Sequence, residues 1–230
     1  MLSFVIRIIV ILLCSYFWII ITNTFIDLPS KSLNGKIDIL INSMYEWGSG
    51  CSGMMDDNHV LMYIMKRLGR VRGKKALQKI MYFVKEYAAR LSYRFRWWFF
   101  GPFSKELYDD IDFLVACDIL SYNNVNYEIS LTSKHEEIVP DVKEDIDKET
   151  KEKIEKLLEK LKKVTNFDPR RLELAASIHF IVKYGVGLKS KDKDTIYEVL
   201  KEIKEGKFRR QLFDEIWESM KKCNLLGTEN

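Results

Sequence analysis

Apolar residues recur at intervals of three and four from residue 55 onward, which is the period of helices that bury one face. The spacing predicts a first helix from Asp57 to Gly69, a second over about residues 74–90 and a third over about residues 105–117. Asp57 and Ser104 are suitable N-cap residues for the first and the third of these helices. The pattern therefore predicts a helical start to the folded part of the chain.

Two shorter patterns favour strands. Arginines alternate with aromatic residues in Tyr93–Phe100, which predicts a strand that Gly101-Pro102 ends. Ile119–Tyr122 and Tyr127–Leu131 flank Asn123-Asn124, residue types that suit a tight hairpin turn. Three helices followed by a two-stranded hairpin predict a winged-helix-like domain over residues 55–132.

The last part of the chain is helical in pattern. Residues 133–149 are acidic and irregular, which predicts a linker. Residues 150–226 carry four further helical patterns, and Asp168-Pro169 combines a cap residue with proline at the first helical position. We therefore predict a mainly α fold with a small β component, in which the winged-helix-like domain is followed by a C-terminal helical domain.

Residues 1–53 form a hydrophobic N-terminal extension of a different character. Ile8–Ile21 is almost wholly apolar, and with the residues before it reaches about 20 residues, enough to span a bilayer. Two interpretations stay open: an uncleaved membrane anchor, or a natural translation start at Met54, Met55 or Met62. We expect a cytoplasmic protein, anchored to the membrane if this segment is genuine.

Composition narrows the class of protein. Hydrophobic residues at 47% and aromatic residues at 13% suffice for a packed core, which excludes global disorder. The four cysteines are isolated and predict reduced thiols. Heavy use of lysine, glutamate and isoleucine is typical of thermophile proteins, although an AT-rich genome gives a similar bias.

The net charge of +4 hides a concentrated basic segment. Seven basic residues and no acidic one lie between Lys66 and Lys79. Clustered cations beside a helix N-terminus suit phosphate groups. The predicted nucleic-acid-binding residues are Arg70, Arg72, Lys74, Lys75 and Lys79, extended by Arg94 and Arg96 of the strand. Two alternatives stay open: these charges pair with protein carboxylates, such as those of Glu136–Glu149, or they only aid solubility.

No catalytic set accompanies the basic segment. Gly48–Gly53 matches the glycine spacing of a dinucleotide-binding loop, but it lacks the strand and the acidic residue that this site requires. The three histidines lie in different predicted elements without metal-ligand spacing, and His179 is interpreted as a packed core residue. We predict no catalytic residue, no metal and no cofactor, and therefore a protein that is not an enzyme.

One part of the sequence resembles a known family. Leu77-Gln78-Lys79-Ile80-Met81-Tyr82-Phe83, followed by Phe100-Gly101-Pro102-Phe103-Ser104-Lys105-Glu106-Leu107, resembles the YwgA-like proteins of archaea and bacteria and, more distantly, the Panacea domain of SocA-type antitoxins. The resemblance covers roughly residues 58–132 and implies a winged-helix-like fold. It implies structural roles for Leu77, Gln78, Lys79, Tyr82, Phe83, Gly101, Pro102, Ser104 and Leu107. The chain departs from the family at Phe100, where tyrosine is usual.

These observations predict a non-enzymatic regulatory protein that binds DNA or RNA through the basic loop. The third helix carries Glu106, Asp109, Asp110 and Asp112, which would repel phosphates, so the loop rather than this helix must make the contact. The alternative is a protein–protein interaction module of antitoxin or adaptor type that uses the aromatic strand and the acidic helix. Membrane contact is expected only if residues 1–22 are translated, and a homodimer is a further open alternative.

Overall fold

In a computed structural model of the chain, residues 57–133, 146–185, 188 and 190–227 are described. All of them belong to one compact unit, Met54–Asn230. The predicted extension at 1–53, with its candidate membrane span, lies outside the described residues, as does most of the predicted linker. Among the helices that are described, none combines the length and the apolar character needed to cross a membrane.

The first half of the described chain contains three helices and five strands. In chain order they are α1 (Asp57–Leu68), β1 (Arg70–Arg72), α2 (Gly73–Tyr87), β2 (Arg96–Trp98), β3 (Gly101–Phe103), α3 (Lys105–Ala116), β4 (Leu120–Asn123) and β5 (Glu128–Leu131). Strands β1, β5 and β4 form an antiparallel sheet in that order, in which Ile129 pairs with both Val71 and Tyr122. The predicted class of a mainly α fold with a small β component is confirmed, and the winged-helix-like assignment stays a prediction.

The structure corrects two details of the predicted strands. Arg70–Arg72 is not a loop but strand β1, with buried Val71 between two exposed arginines. The aromatic strand is limited to Arg96–Trp98, and Gly101-Pro102 starts the paired strand β3 instead of ending the first. Phe99 and Phe100 form the turn between them. A proline is tolerated here because a two-stranded hairpin leaves each strand one edge without a ladder partner.

Four helices follow, and polar caps set where three of them begin. They are α4 (Lys148–Thr165), α5 (Pro169–Tyr184), α6 (Lys193–Ile203) and α7 (Arg210–Lys222). The carboxylates of Asp147, Asp168 and Asp192 accept hydrogen bonds from the first free N–H groups of α4, α5 and α6. The predicted start of α5 at Asp168-Pro169 is therefore confirmed.

Helix α5 lies at the centre of the unit. Ten of its 16 residues are buried, and it packs against α2, β3, α4, α6 and α7. A helix that is surrounded in this way has no single apolar face, which explains its mixed hydrophobic pattern. The predicted domains at 55–132 and 150–226 thus share one compact unit, and their boundaries stay predictions.

Candidate functional site

Hydrogen bonds join helix α2 to strand β3 and to the start of α3. The side chain of Gln78 donates to the carbonyl of Ser104 over 2.9 Å and accepts from the Ser104 N–H over 3.0 Å. Lys79 Nζ donates to the carbonyl oxygen of Pro102 over 2.6 Å. The Ser104 hydroxyl caps α3 by accepting from the N–H of Leu107. Five of the residues predicted to have structural roles therefore meet at one joint: Gln78, Lys79, Pro102, Ser104 and Leu107. All nine predicted residues are buried.

Gly101 sets the hairpin against α5. Its φ of +84° lies in the region that glycine adopts most readily, and a Cβ at this position would stand 2.6 Å from Ser177 Oγ. Ser177 is fully buried, and its hydroxyl has no hydrogen-bond partner among the described residues. A side chain at position 101 would therefore push the hairpin away from α5.

A cluster of charged residues lies behind this hairpin. Lys207 Nζ donates to both carboxylate oxygens of Glu173, over 2.7 and 2.8 Å. Lys204 Nζ lies 3.4 Å from the same carboxylate and donates to the carbonyl of Phe99 over 2.7 Å. Two lysines of α2 complete what we call the Glu173 cluster: Glu173, Lys75, Lys79, Lys204 and Lys207. In the described part of the chain it sets four ammonium groups against one carboxylate.

Burial and mutual repulsion disfavour the charged form of these lysines. Burial lowers the pKa of Lys79 to about 7; Glu173 opposes this shift, while the three other lysines of the cluster add to it. Burial also lowers the pKa of Lys75 and of Lys204. Because Glu173 itself is 2% exposed, this one carboxylate lies in the interior beside the excess of positive charge.

The turn of the hairpin brings aromatic rings to these lysines. Lys75 Nζ lies 3.6 Å from the ring centroid of Phe100, and Lys207 Nζ lies 5.0 Å from the same centroid. Phe99 packs edge-on against Phe100 and is 72% exposed, and Trp98 is 62% exposed. Exposed aromatic rings and ammonium groups therefore share one surface.

A row of rings continues from this turn to helix α3. The centroid of Phe103 lies 6.1 Å from that of Trp98 and 6.0 Å from that of Tyr108. Lys74 Nζ stands 4.6 Å from the Tyr108 centroid. We call this set the lysine–aromatic surface: Lys74, Lys75, Trp98, Phe99, Phe100, Phe103, Tyr108 and Lys207.

The structure divides the residues predicted to bind nucleic acid. Lys74 and Lys75 lie on the lysine–aromatic surface, and Arg70, Arg72, Arg94 and Arg96 are exposed. Lys79 is 1% exposed and bonded to Pro102, so burial removes it from the predicted phosphate-contacting set. The predicted aromatic segment and the start of the predicted basic helix thus meet in space.

The acidic side of α3 is largely paired. Asp112 forms an ion pair with Lys74, and Glu106 forms one with Arg94. Asp109 pairs with Lys105, and Asp110 accepts a hydrogen bond from the hydroxyl of Tyr93. The alternative in which basic residues pair within the protein therefore holds for Lys74 and Arg94, with partners on α3. The predicted partners at Glu136–Glu149 lie largely outside the described residues.

Sequence reasoning missed Glu173, Ser177, Lys204 and Lys207. A carboxylate between Leu172 and Leu174, followed by three apolar or small residues, is a signal that α5 buries a charge needing a partner. Nothing in the local pattern identifies Lys204 and Lys207 as those partners, because many lysines of the C-terminal part have the same setting. Only the packing of α5 against the end of α6 selects them.

His179 forms a second buried polar contact, on the far part of α5. Its Nδ1 lies 2.6 Å from the hydroxyl oxygen of Tyr82, and the side chains of Phe83 and Tyr87 surround it. Burial lowers the pKa of His179 to about 4, so the ring is neutral near pH 7. Its burial among aromatic rings agrees with the interpretation as a packed core residue.

Neither a model of a known protein family nor a curated protein matches the chain. The likeness to the YwgA-like proteins therefore stays a prediction. Within the described ranges, no group of three or more histidine, cysteine, aspartate or glutamate side chains could hold a metal ion.

Proposed function

We propose that this chain is a non-enzymatic regulatory protein that binds single-stranded nucleic acid through the lysine–aromatic surface. The observation that carries the proposal is the position of exposed Trp98 and Phe99 next to Lys75 and Lys207 around Phe100. Proteins bind single strands by stacking bases on aromatic rings while cations follow the backbone, and each stacked base contributes about 1–3 kcal/mol. This surface offers both groups together.

A single strand fits this surface better than a duplex does. In a duplex the base faces are stacked on one another, so exposed rings gain little from it. A helix that binds in the groove of a duplex also needs a face that does not repel phosphates. Helix α3 instead presents carboxylates, and they pair with basic residues of this same protein. The basic strand β1 remains a secondary contact, through exposed Arg70 and Arg72.

The test is a fluorescence anisotropy titration of the full-length chain with a labelled single strand and with its duplex, at several salt concentrations. If about three lysines contact phosphates, the logarithm of the affinity should fall with log salt at a slope of about −2. Phe99→Ala should weaken binding about 5- to 150-fold through the loss of one stacked base. The matched control is Phe113→Ala, which truncates a 40% exposed ring of α3 that takes no part in the row.

Two outcomes would count against the proposal: tighter binding of the duplex, or single-strand binding that is independent of salt. Exposed Trp98 and Phe99 also suit a protein partner, because aromatic residues dominate the energetics of many protein interfaces. In that case a stoichiometric partner should stay bound after nuclease treatment and be lost in Phe99→Ala, with no oligonucleotide binding. That result would favour the protein-interaction module.

A further inference from the structure

We propose that the surface of the Glu173 cluster is a binding site for a phosphate monoester dianion, held between Lys75 and Lys207 beside the ring of Phe100. This inference deepens the proposed function and rests on it for the source of the ligand, which would be the terminal phosphate of a strand. The ligand chemistry itself follows from the arrangement of charges. That arrangement has three parts: the unbalanced charge, the access from solvent and the free donor capacity.

The first part is the unbalanced charge. Lys207 occupies both oxygens of Glu173 and Lys204 shares one of them, so the carboxylate is already committed. Lys79 bonds a carbonyl oxygen, which carries no net charge. Two or three positive charges therefore remain in a partly buried region, where charge interactions are stronger than in water. A dianion neutralises most of this excess, whereas an internal phosphodiester, with one charge, does so less well.

The second part is access. Lys75 is exposed, the side chain of Lys207 is 36% exposed, and Phe100 is 38% exposed. Lys79 and Lys204 lie beneath them and are buried. An anion arriving from solvent meets Lys75 and Lys207 first, and buried Lys204 adds attraction without direct contact.

The third part is the free donor capacity of Lys75. Among the described residues its ammonium group contacts the Phe100 ring and makes no hydrogen bond to an acceptor. An ammonium group has three donors, so all three are available to phosphate oxygens. Lys75 is thus the residue whose removal should affect the anion most and the fold least.

The direct test is calorimetric titration of the full-length chain with inorganic phosphate near pH 8, at constant ionic strength in chloride. Lys75→Gln should raise the dissociation constant at least about tenfold, as expected for the loss of a hydrogen bond between charged groups. The control is Lys201→Gln, which removes an exposed lysine of α6 paired with Glu198 and should leave phosphate binding unchanged. Lys207→Gln is less suitable, because it leaves buried Glu173 short of a partner.

Equal phosphate binding by wild type and Lys75→Gln, or no phosphate binding by wild type, would overturn the inference. A second arm compares a single strand that carries a 5′-phosphate with the same strand ending in a hydroxyl. Tighter binding of the phosphorylated strand, lost in Lys75→Gln, would identify a strand end as the source of the ligand. Phosphate binding that depends on Lys75, together with equal affinity for the two strands, would support the site with a small phosphate compound as its ligand.

The two proposals can also fail separately. If the chain binds single-stranded nucleic acid in a salt-dependent way but does not bind inorganic phosphate, the proposed function stands and the anion site is wrong. If the chain binds inorganic phosphate in a way that depends on Lys75 but does not bind single-stranded nucleic acid, the anion site stands and the nucleic-acid proposal is wrong.

Discussion

The two basic regions of this protein differ in what surrounds their charges. Arg70 and Arg72 are the first and last residues of strand β1 and are exposed, so water and salt screen them. The lysines of the Glu173 cluster come from distant parts of the chain and meet around one interior carboxylate. An exposed run of cations is conspicuous in a sequence but costs the fold little. The sequence does not show which lysines are buried, and a buried lysine destabilises the fold unless something balances its charge, so the Glu173 cluster is stronger evidence of a site.

The largest test of this contrast is Glu173→Gln. It removes the carboxylate that Lys204 and Lys207 share, and breaking a buried ion pair of this kind costs about 3–5 kcal/mol. We expect a corresponding drop in the free energy of unfolding, measured by urea denaturation near pH 7. Glu198→Gln, at an exposed position of α6, should change it by less than about 0.5 kcal/mol. Similar effects of the two substitutions would erase the contrast between the regions.

Gly101→Ala tests how tightly the hairpin is held over the cluster. A non-glycine residue at φ +84° costs about 1–3 kcal/mol, and the added Cβ would also meet Ser177 Oγ at 2.6 Å. We expect the total loss in thermal or urea unfolding to exceed that of Gly206→Ala. Gly206 has a similar φ of +70° but no atom within 4 Å of an added Cβ. Equal losses at the two positions would mean that the hairpin yields easily.

Lys79→Met tests the burial of a cluster lysine through the pH dependence of the free energy of unfolding. The pKa of Lys79 falls from 10.5 to about 7 on folding, so the wild-type protein loses stability as the pH falls from 10.5 toward 7. Methionine does not titrate, so the stability of the variant relative to wild type should rise over this range and level off below pH 7. At its steepest, the difference should change by about 1.4 kcal/mol per pH unit. A flat difference would show that Lys79 is not held in a desolvated position.

The smallest expected effect on stability is that of Arg70→Ala combined with Arg72→Ala. Both residues are exposed, and the Arg70 guanidinium comes no closer than 3.8 Å to the Glu128 carboxylate, so this ion pair is weak. The free energy of unfolding should therefore change by less than about 0.5 kcal/mol. The affinity for single-stranded nucleic acid should fall less than it does in Lys75→Gln. If the double arginine variant lost more affinity than Lys75→Gln, the binding surface would instead lie at β1, the predicted basic loop.

The buried joint around the Gln-Lys pair illustrates how sequence and structure divide the information. Gln78 and Lys79 are two polar residues between the apolar residues of a predicted helix, which is unusual. The resemblance to a family pointed to the same positions. Their partners are the backbone of Ser104 and the carbonyl of Pro102, more than 20 residues later. The sequence could indicate that these residues matter, but not that they are buried rather than bound to phosphate.

Local patterns by themselves determined the helices, the caps at Ser104 and Asp168, the hairpin of β4 and β5, and the mainly α class. The cap predicted at Asp57 is wrong, because Asp57 is the first residue of α1 and its carboxylate accepts hydrogen bonds from Ser92. Such features depend on residues within one or two turns of each other, so spacing and cap chemistry suffice to predict them. Only the tertiary structure decided that β1 pairs with β5, that Lys79 is interior and that Lys204 and Lys207 reach Glu173. These depend on contacts between segments far apart in the chain, where the free energy of burial, and not any local preference, selects the partner.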